Sequence, residues 1–160
     1  MNVEELLARE SIRHTIASYT VAGDTRDVGM FVELFAENAI FEFAGFPPLE
    51  GFRFEGRAAI DPTARWQRYD ERERADWGSS FLRHNLTTCL IEVDGPDSAR
   101  ARTYFVVFTD IGPDHCGVYL DDFVRQGDRW LFAHRRIRLD WRSPDSLFPL
   151  IARRGAQAKG

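Results

Sequence analysis

The chain has 160 residues, 44% hydrophobic and 29% charged, which is the length and balance of one soluble globular domain able to bury its own core. Its formal charge of −4 carries no electrostatic footprint for nucleic acid or an anionic membrane surface. The only cysteines, Cys89 and Cys116, lack the paired spacing of a zinc site, a redox motif or a disulfide framework, so a reduced, cytoplasmic setting is expected.

The opening MNVEELLARE is charged and amphipathic, without the apolar stretch of a secretory signal, and no run reaches transmembrane length. Asn2 with Glu5 forms a capping-box pattern, and Ile12, Ile16 and Tyr19 recur on one face, which predicts a first helix from about Val3 to Tyr19. Gly23 is expected to break that pattern. Asp27 then caps a second, shorter helix that carries Val28, Phe31, Leu34 and Phe35. Ala39 to Phe43 alternates as a strand, and GFPPLEGFRFEG after it reads as a loop or a broken hairpin. Asp61-Pro62 predicts the start of a third helix through PTARWQRYDERE.

From Leu82 onward the pattern changes to four long β-rich runs, LRHNLTTCLIEVDG, ARARTYFVVFTD, HCGVYLDDFVRQGD and RWLFAHRRIRLDW, joined by turn residues. Helices followed by an antiparallel meander describe an α+β domain in which a curved sheet wraps against the helices. The domain is expected to run over residues 1–142. The tail at 143–160 contains SLFPLI, a candidate cover for a cavity mouth, and then a frayed end.

Particular residues in this order resemble the SnoaL-like branch of the nuclear-transport-factor-two-like superfamily, whose members are cone-shaped α+β barrels. The matching pieces are YTVAGDTRDVGMFVELFAENAIF, GRAAI, RHNLTT and GVYLDDFVRQGDRWLFAHRRIRLDW. In motif the chain is most similar to enzymes of the scytalone dehydratase, bile acid dehydratase and hexachlorocyclohexane dehydrochlorinase type. That resemblance implies a cofactor-independent lyase or isomerase, dehydratase or cyclase, acting on a small hydrophobic polycyclic, aromatic or steroid-like substrate. It also implies a homo-oligomer, a trimer before a dimer, while the spacing of possible ligands leads to the expectation of no metal. The superfamily equally contains binding proteins and oxygenase β subunits, so a non-catalytic ligand-binding or structural module is the competing expectation.

The same resemblance places a paired Asp and His at Asp24 and His84, and a tyrosine five residues before the Asp at Tyr19. The chain departs from scytalone dehydratase at Gly23, and TYFVVF supplies no second histidine. Apolar Phe43 and Ala44 stand where steroid isomerases carry their catalytic Asp. A histidine whose other nitrogen is held by a carboxylate is suited to abstract a proton. Locally, however, Asp24 is equally a turn cap, and Tyr19 equally a member of the apolar helix stripe.

On the last strand, alternation groups Leu131, Ala133, Arg135, Ile137 and Leu139 and sets Trp130, Phe132 and His134 on the other face. Arg135 therefore needs either a buried carboxylate or a polar group of the substrate. Tyr104 and Tyr119 are candidate pocket donors or core tyrosines, and Phe41, Trp66 and Trp141 candidate aromatic walls. Asp121 and Asp122 read as turn, ion-pair or subunit residues. His115 beside Cys116 lacks a third metal ligand at recognisable spacing, and His14 and His134 read as solvated or interfacial.

Overall fold

The computed structural model describes residues 2–61 and 79–147. Helix α1 spans Val3–Thr25, with the Asn2 side chain accepting the Glu5 amide at 2.8 Å, and α2 spans Val28–Glu33, with Asp27 accepting the Met30 amide at 2.9 Å. Both are N-caps that satisfy a backbone donor the helix cannot. The first helix thus runs past its expected end at Tyr19. A Gly in a helix costs only about 1 kcal/mol against Ala, and Gly23 is absorbed into the last turn. Arg26 takes the left-handed stop at φ 59°, while the Asp27 amide closes back on the Ala22 carbonyl at 3.0 Å. Asp24 consequently lies on the helix, in its last turn, and not in a following loop.

Strand β1 covers Phe35–Phe43, β2 Phe52–Glu55 and the short α3 Arg57–Ile60. The long strands are β3 Arg83–Val93, β4 Ser98–Thr109, β5 Gly112–Gln126 and β6 Arg129–Arg142. They form one sheet in the order β2, β1, β6, β5, β4, β3. The meander β3 to β6 is antiparallel throughout, as its turns require, and β1 lies parallel to β6. Phe35, expected in the second helix, opens β1 because the Phe132 amide bonds the Leu34 carbonyl at 2.9 Å and ties the chain to β6 there. The segment read as a loop or broken hairpin contains a cis Pro47-Pro48 bond and ends in β2, which pairs antiparallel with β1. The third helix expected after Asp61, with Trp66, lies outside the described residues.

The core sits between the helices and the inner face of this α+β sheet. Ile12, Thr15, Ile16, Tyr19 and Ala22 are the buried stripe of α1, and Thr15 donates to the Trp130 carbonyl at 2.6 Å, fixing the helix on β6. Tyr19, Phe31, Phe35, Phe41 and Phe132 then pack as tilted and edge-on rings with centroids 5.1 to 6.3 Å apart, the geometry that aromatic quadrupoles favour.

Three of the register irregularities, all between β4, β5 and β6, bend the strands and re-aim side chains. One lies on β5 opposite Val107 and Phe108, one between Cys116 and Gly117, and one between Asp122 and Phe123. At the second, a Cβ on Gly117 would stand 2.0 Å from the Arg138 carbonyl, so only glycine allows the two strands that close an approach. The third interrupts the simple alternation of β6. Phe132 and Arg135, expected on opposite faces, are both fully buried.

Candidate active site

Asp24 and His84 meet where the end of α1 reaches the start of β3. His84 Nδ1 is 2.6 Å from Asp24 Oδ1, and the His84 backbone amide lies 3.3 and 3.2 Å from the two carboxylate oxygens. Arg83 stands 3.8 Å from the same carboxylate. The Asp24 side chain is 3% exposed and the His84 side chain 22%. An ionised carboxylate in the last turn of a helix faces the negative end of the macrodipole and does nothing for the helix. The bonds of Asp24 go to β3, not to its own turn, so its role as a local cap falls away.

With Nδ1–H given to the carboxylate, His84 keeps its lone pair on Nε2. That tautomer is assigned from the hydrogen bond. A partly exposed imidazole oriented in this way can take a proton from a bound molecule, and the buried carboxylate compensates the imidazolium that forms.

Deeper on the same face Arg135 is fully buried and bidentate to Asp121, Nε to Oδ1 and Nη2 to Oδ2 both at 2.9 Å. Burial opposes its charge, and the Asp121 carboxylate more than offsets that, so its pKa stays above the ordinary arginine value. Of the two partners the sequence left open for Arg135, the carboxylate is present, and it is one of the pair in YLDDF. The guanidinium carbon also lies 3.9 Å from the Tyr19 ring centroid, 4.2 Å from that of Tyr119 and 4.1 Å from that of Phe132. Its Nη1 is buried without a hydrogen-bond partner among the described residues. Tyr119 stacks on Phe105 at 4.3 Å, and burial pushes its hydroxyl well above the usual phenol pKa, keeping it neutral. Phe41 is buried against Tyr19 and Phe52.

Two candidates from the sequence fall elsewhere. Tyr104 is 43% exposed and Trp141 45% exposed. On β4 the alternation turns Thr103, Phe105 and Val107 inward and leaves Tyr104 outside, while the irregularity beside Gly117 turns Leu139 inward and Trp141 out. Neither belongs to the interior site. His14 is exposed as expected, whereas His134, expected to be solvated or interfacial, is bound through Nε2 to Glu42 at 2.8 Å.

Sequence reasoning missed a second histidine–carboxylate pair. Asp114 and His115 are both buried, and His115 Nδ1 lies 2.6 Å from Asp114 Oδ1. The alternation that groups Tyr119, Asp121 and Phe123, carried back along β5 through Gly117, reaches His115, so the signal was present in the sequence.

Residues 4–136 match the SnoaL-like domain family. The chain belongs to that family. Among solved structures similar to this SnoaL-like chain is an NTF2-like protein with a cystatin-like fold from Novosphingobium aromaticivorans, 28% identical over 88% of this chain and 87% of that one, with a TM-score of 0.69. A candidate scytalone dehydratase from the same organism shares 19% identity over 89% and 91% of the two chains, at TM-score 0.68. A hexachlorocyclohexane dehydrochlorinase from Novosphingobium barchaimii shares 14% over 90% and 94%, at 0.69. The last two likenesses concern the fold alone. No curated protein matches the sequence. Among its described residues the SnoaL-like chain has no helix long and apolar enough to cross a membrane.

Proposed function

We propose that this SnoaL-like protein is a cofactor-independent lyase or isomerase, of the dehydratase or cyclase type, acting on a small hydrophobic polycyclic, aromatic or steroid-like molecule. His84 Nε2 removes a proton from a carbon of the substrate. The electrons of that C–H bond form the new double bond, or an enolate, and in the elimination the leaving group departs from the adjacent carbon with its bonding pair. Asp24 holds the Nδ1–H and stabilises the imidazolium. Tyr19 and the Nη1 of Arg135 assist the carbonyl or departing oxygen, with Tyr119 and Phe41 as walls.

The observation that carries this reading is the 2.6 Å bond between side chains 60 residues apart in sequence, one buried and one reachable. Proton transfer of this kind contributes about 10² to 10⁴ in rate, and positioning by the aromatic interior supplies more. The solved dehydratase and dehydrochlorinase folds support the class of reaction. The exposed Leu90, Tyr104 and Trp141 support a homo-oligomer that covers them, a trimer before a dimer.

The test is turnover of a panel of bicyclic β-hydroxy ketones, followed by the absorbance of the conjugated product. Wild type is expected to dehydrate at least one of them, and His84→Ala to lose about 10² or more of that rate. Equal rates for the two proteins would remove His84 as the base.

A further inference from the structure

His84 opens a row of residues that are successive partners across the sheet. It pairs with Val107 across β3 and β4, Val107 with His115 across β4 and β5, and His115 with Arg142 across β5 and β6. Directly paired residues project from one face, so Arg142 shares the inner face with His84. The middle of the row is closed, with Val107 fully buried and the His115 side chain 5% exposed. Its two ends are open, the His84 side chain at 22% and Arg142 partly exposed. Three strand spacings put the backbones of those ends about 14 Å apart. The Phe105 ring borders both imidazoles between them, with centroids 6.4 Å from His84 and 6.3 Å from His115.

Arg142 has no counter-ion. The other arginines of β6 are all engaged, Arg129 by the Glu33 carbonyl, Arg135 by Asp121, Arg136 by Asp122 and Arg138 by Asp140. Arg142 makes no hydrogen bond or ion pair with any described residue, and its Nε is buried without a partner. The acids beside the row are taken. Asp24 is held by His84, and Asp114 accepts the Ser146 hydroxyl at 2.6 Å, the Leu147 amide at 2.8 Å and the Thr109 hydroxyl at 3.2 Å besides His115. Burial opposes the charge of Asp114, but these donors outweigh it and hold its pKa below the usual carboxylate value. Burial first of all, with His84 and Arg142 adding to it, pulls the His115 pKa down despite Asp114. The imidazole of His84 and the guanidinium of Arg142 are thus both within electrostatic reach of the ring between them.

A guanidinium keeps its charge in a protein, and with Nε enclosed its two Nη groups are left for a ligand. Two parallel N–H groups match the two oxygens of a carboxylate, which a neutral carbonyl does not offer. We propose that Arg142 is a specificity-determining residue of this site, binding a carboxylate of the substrate through Nη1 and Nη2 while His84 acts on a carbon at the other end of the molecule. The substrate class narrows to hydrophobic ring acids, with the apolar body over Val107 and Phe105. This inference rests on the inner face beside His84 being where substrate lies.

The test is titration calorimetry with naphthoate, biphenyl carboxylate and anthracene carboxylate, each against its neutral amide. Wild type is expected to prefer at least one acid over its amide by about 10- to 100-fold, the size of a charge-assisted hydrogen bond. Added salt should shrink that preference, because the guanidinium is partly exposed. Arg142→Gln should bind acid and amide equally, Arg142→Lys should keep part of the preference as a point charge, and His84→Ala should keep it. Absence of a preference in wild type for every pair, or a preference that persists in Arg142→Gln, overturns the inference.

Nitrogen NMR of labelled arginine side chains in wild type supplies a readout that needs no variant. The Arg142 guanidinium resonances are expected to move with the preferred acid and not with its amide, and unmoved resonances overturn the proposal. If His84→Ala retains full turnover while the Arg142 preference holds, the general-base reading fails and the carboxylate inference stands.

Discussion

Asp24–His84 and Asp114–His115 are pairs of the same length, 2.6 Å, on one face of one sheet, and they are built in different ways. The first joins the end of a helix to a strand 60 residues away and leaves its imidazole 22% exposed. The second joins neighbours in sequence through a slip in strand register, and both members are sealed. A base must be reachable and able to change charge, which the first pair satisfies and the sealed second pair does not. Two chemically identical pairs are thus set apart by their environments alone.

The largest effect expected along this division is on rate. His84→Ala should lower turnover by about 10² to 10⁴ and leave the melting temperature nearly unchanged. His115→Asn, at the sealed pair, should act on stability and leave turnover nearly unchanged. Steady-state kinetics of the two variants checks the pair, and equal losses of rate would erase the distinction.

The sealed Arg135–Asp121 pair sharpens the contrast, because it holds a charge without taking part in proton transfer. Asp121→Ala leaves the buried guanidinium uncompensated and should cost about 3 to 5 kcal/mol of stability, measured by urea unfolding. A loss under 1 kcal/mol would mean that the pair is not the anchor of the interior.

The pH dependence of stability separates the two histidines in a third way. His115 has a folded pKa below the ordinary value of about 6.5, so below that pH the unfolded chain binds a proton that the folded chain does not. Its contribution is therefore complete above about pH 6.5. It is lost as pH falls toward the lowered value, by at most about 1.4 kcal/mol per pH unit. His115→Asn should flatten that slope in denaturant titrations at stepped pH. Asp114 acts in the same sense further down, its contribution present above about pH 3.9 and lost below it.

The smallest expected effect concerns the other aspartate of the AGDTRD stretch. Asp27→Ala removes only an N-cap and should cost about 1 kcal/mol in thermal unfolding, with turnover intact, whereas Asp24→Asn should cost turnover chiefly. Substitution of exposed Tyr104 or Trp141 should leave turnover by the isolated subunit unchanged.

Much of this architecture was legible in local sequence. The caps at Asn2 and Asp27, the stripe Ile12, Ile16 and Tyr19, and the alternation of the long strands all follow from short-range rules, and together they specify an α+β fold. The helix end was not legible, because Gly23 could be absorbed at small cost and the stop fell on Arg26, a residue with no strong left-handed preference. Strand register was not legible either. The irregularities at Asp114, beside Gly117 and at Ala133 carry no pattern of their own, yet they decide that Asp114 meets His115, that Trp141 faces out, and that Phe132 joins Arg135 in the core. Asp24 and His84 could be paired only by resemblance, since no local rule relates residues 60 apart.

Abstraction of a carbon-bound proton by His84 is most directly measured by exchange, which needs no leaving group. A bicyclic ketone incubated with the protein in deuterated water is followed by proton NMR for loss of the signal next to the carbonyl. Exchange catalysed by wild type and slowed about 10² or more in His84→Ala, with the Asp24→Asn protein between them, is the predicted result. Exchange at the same rate in wild type and His84→Ala would contradict the assignment of His84 as the base.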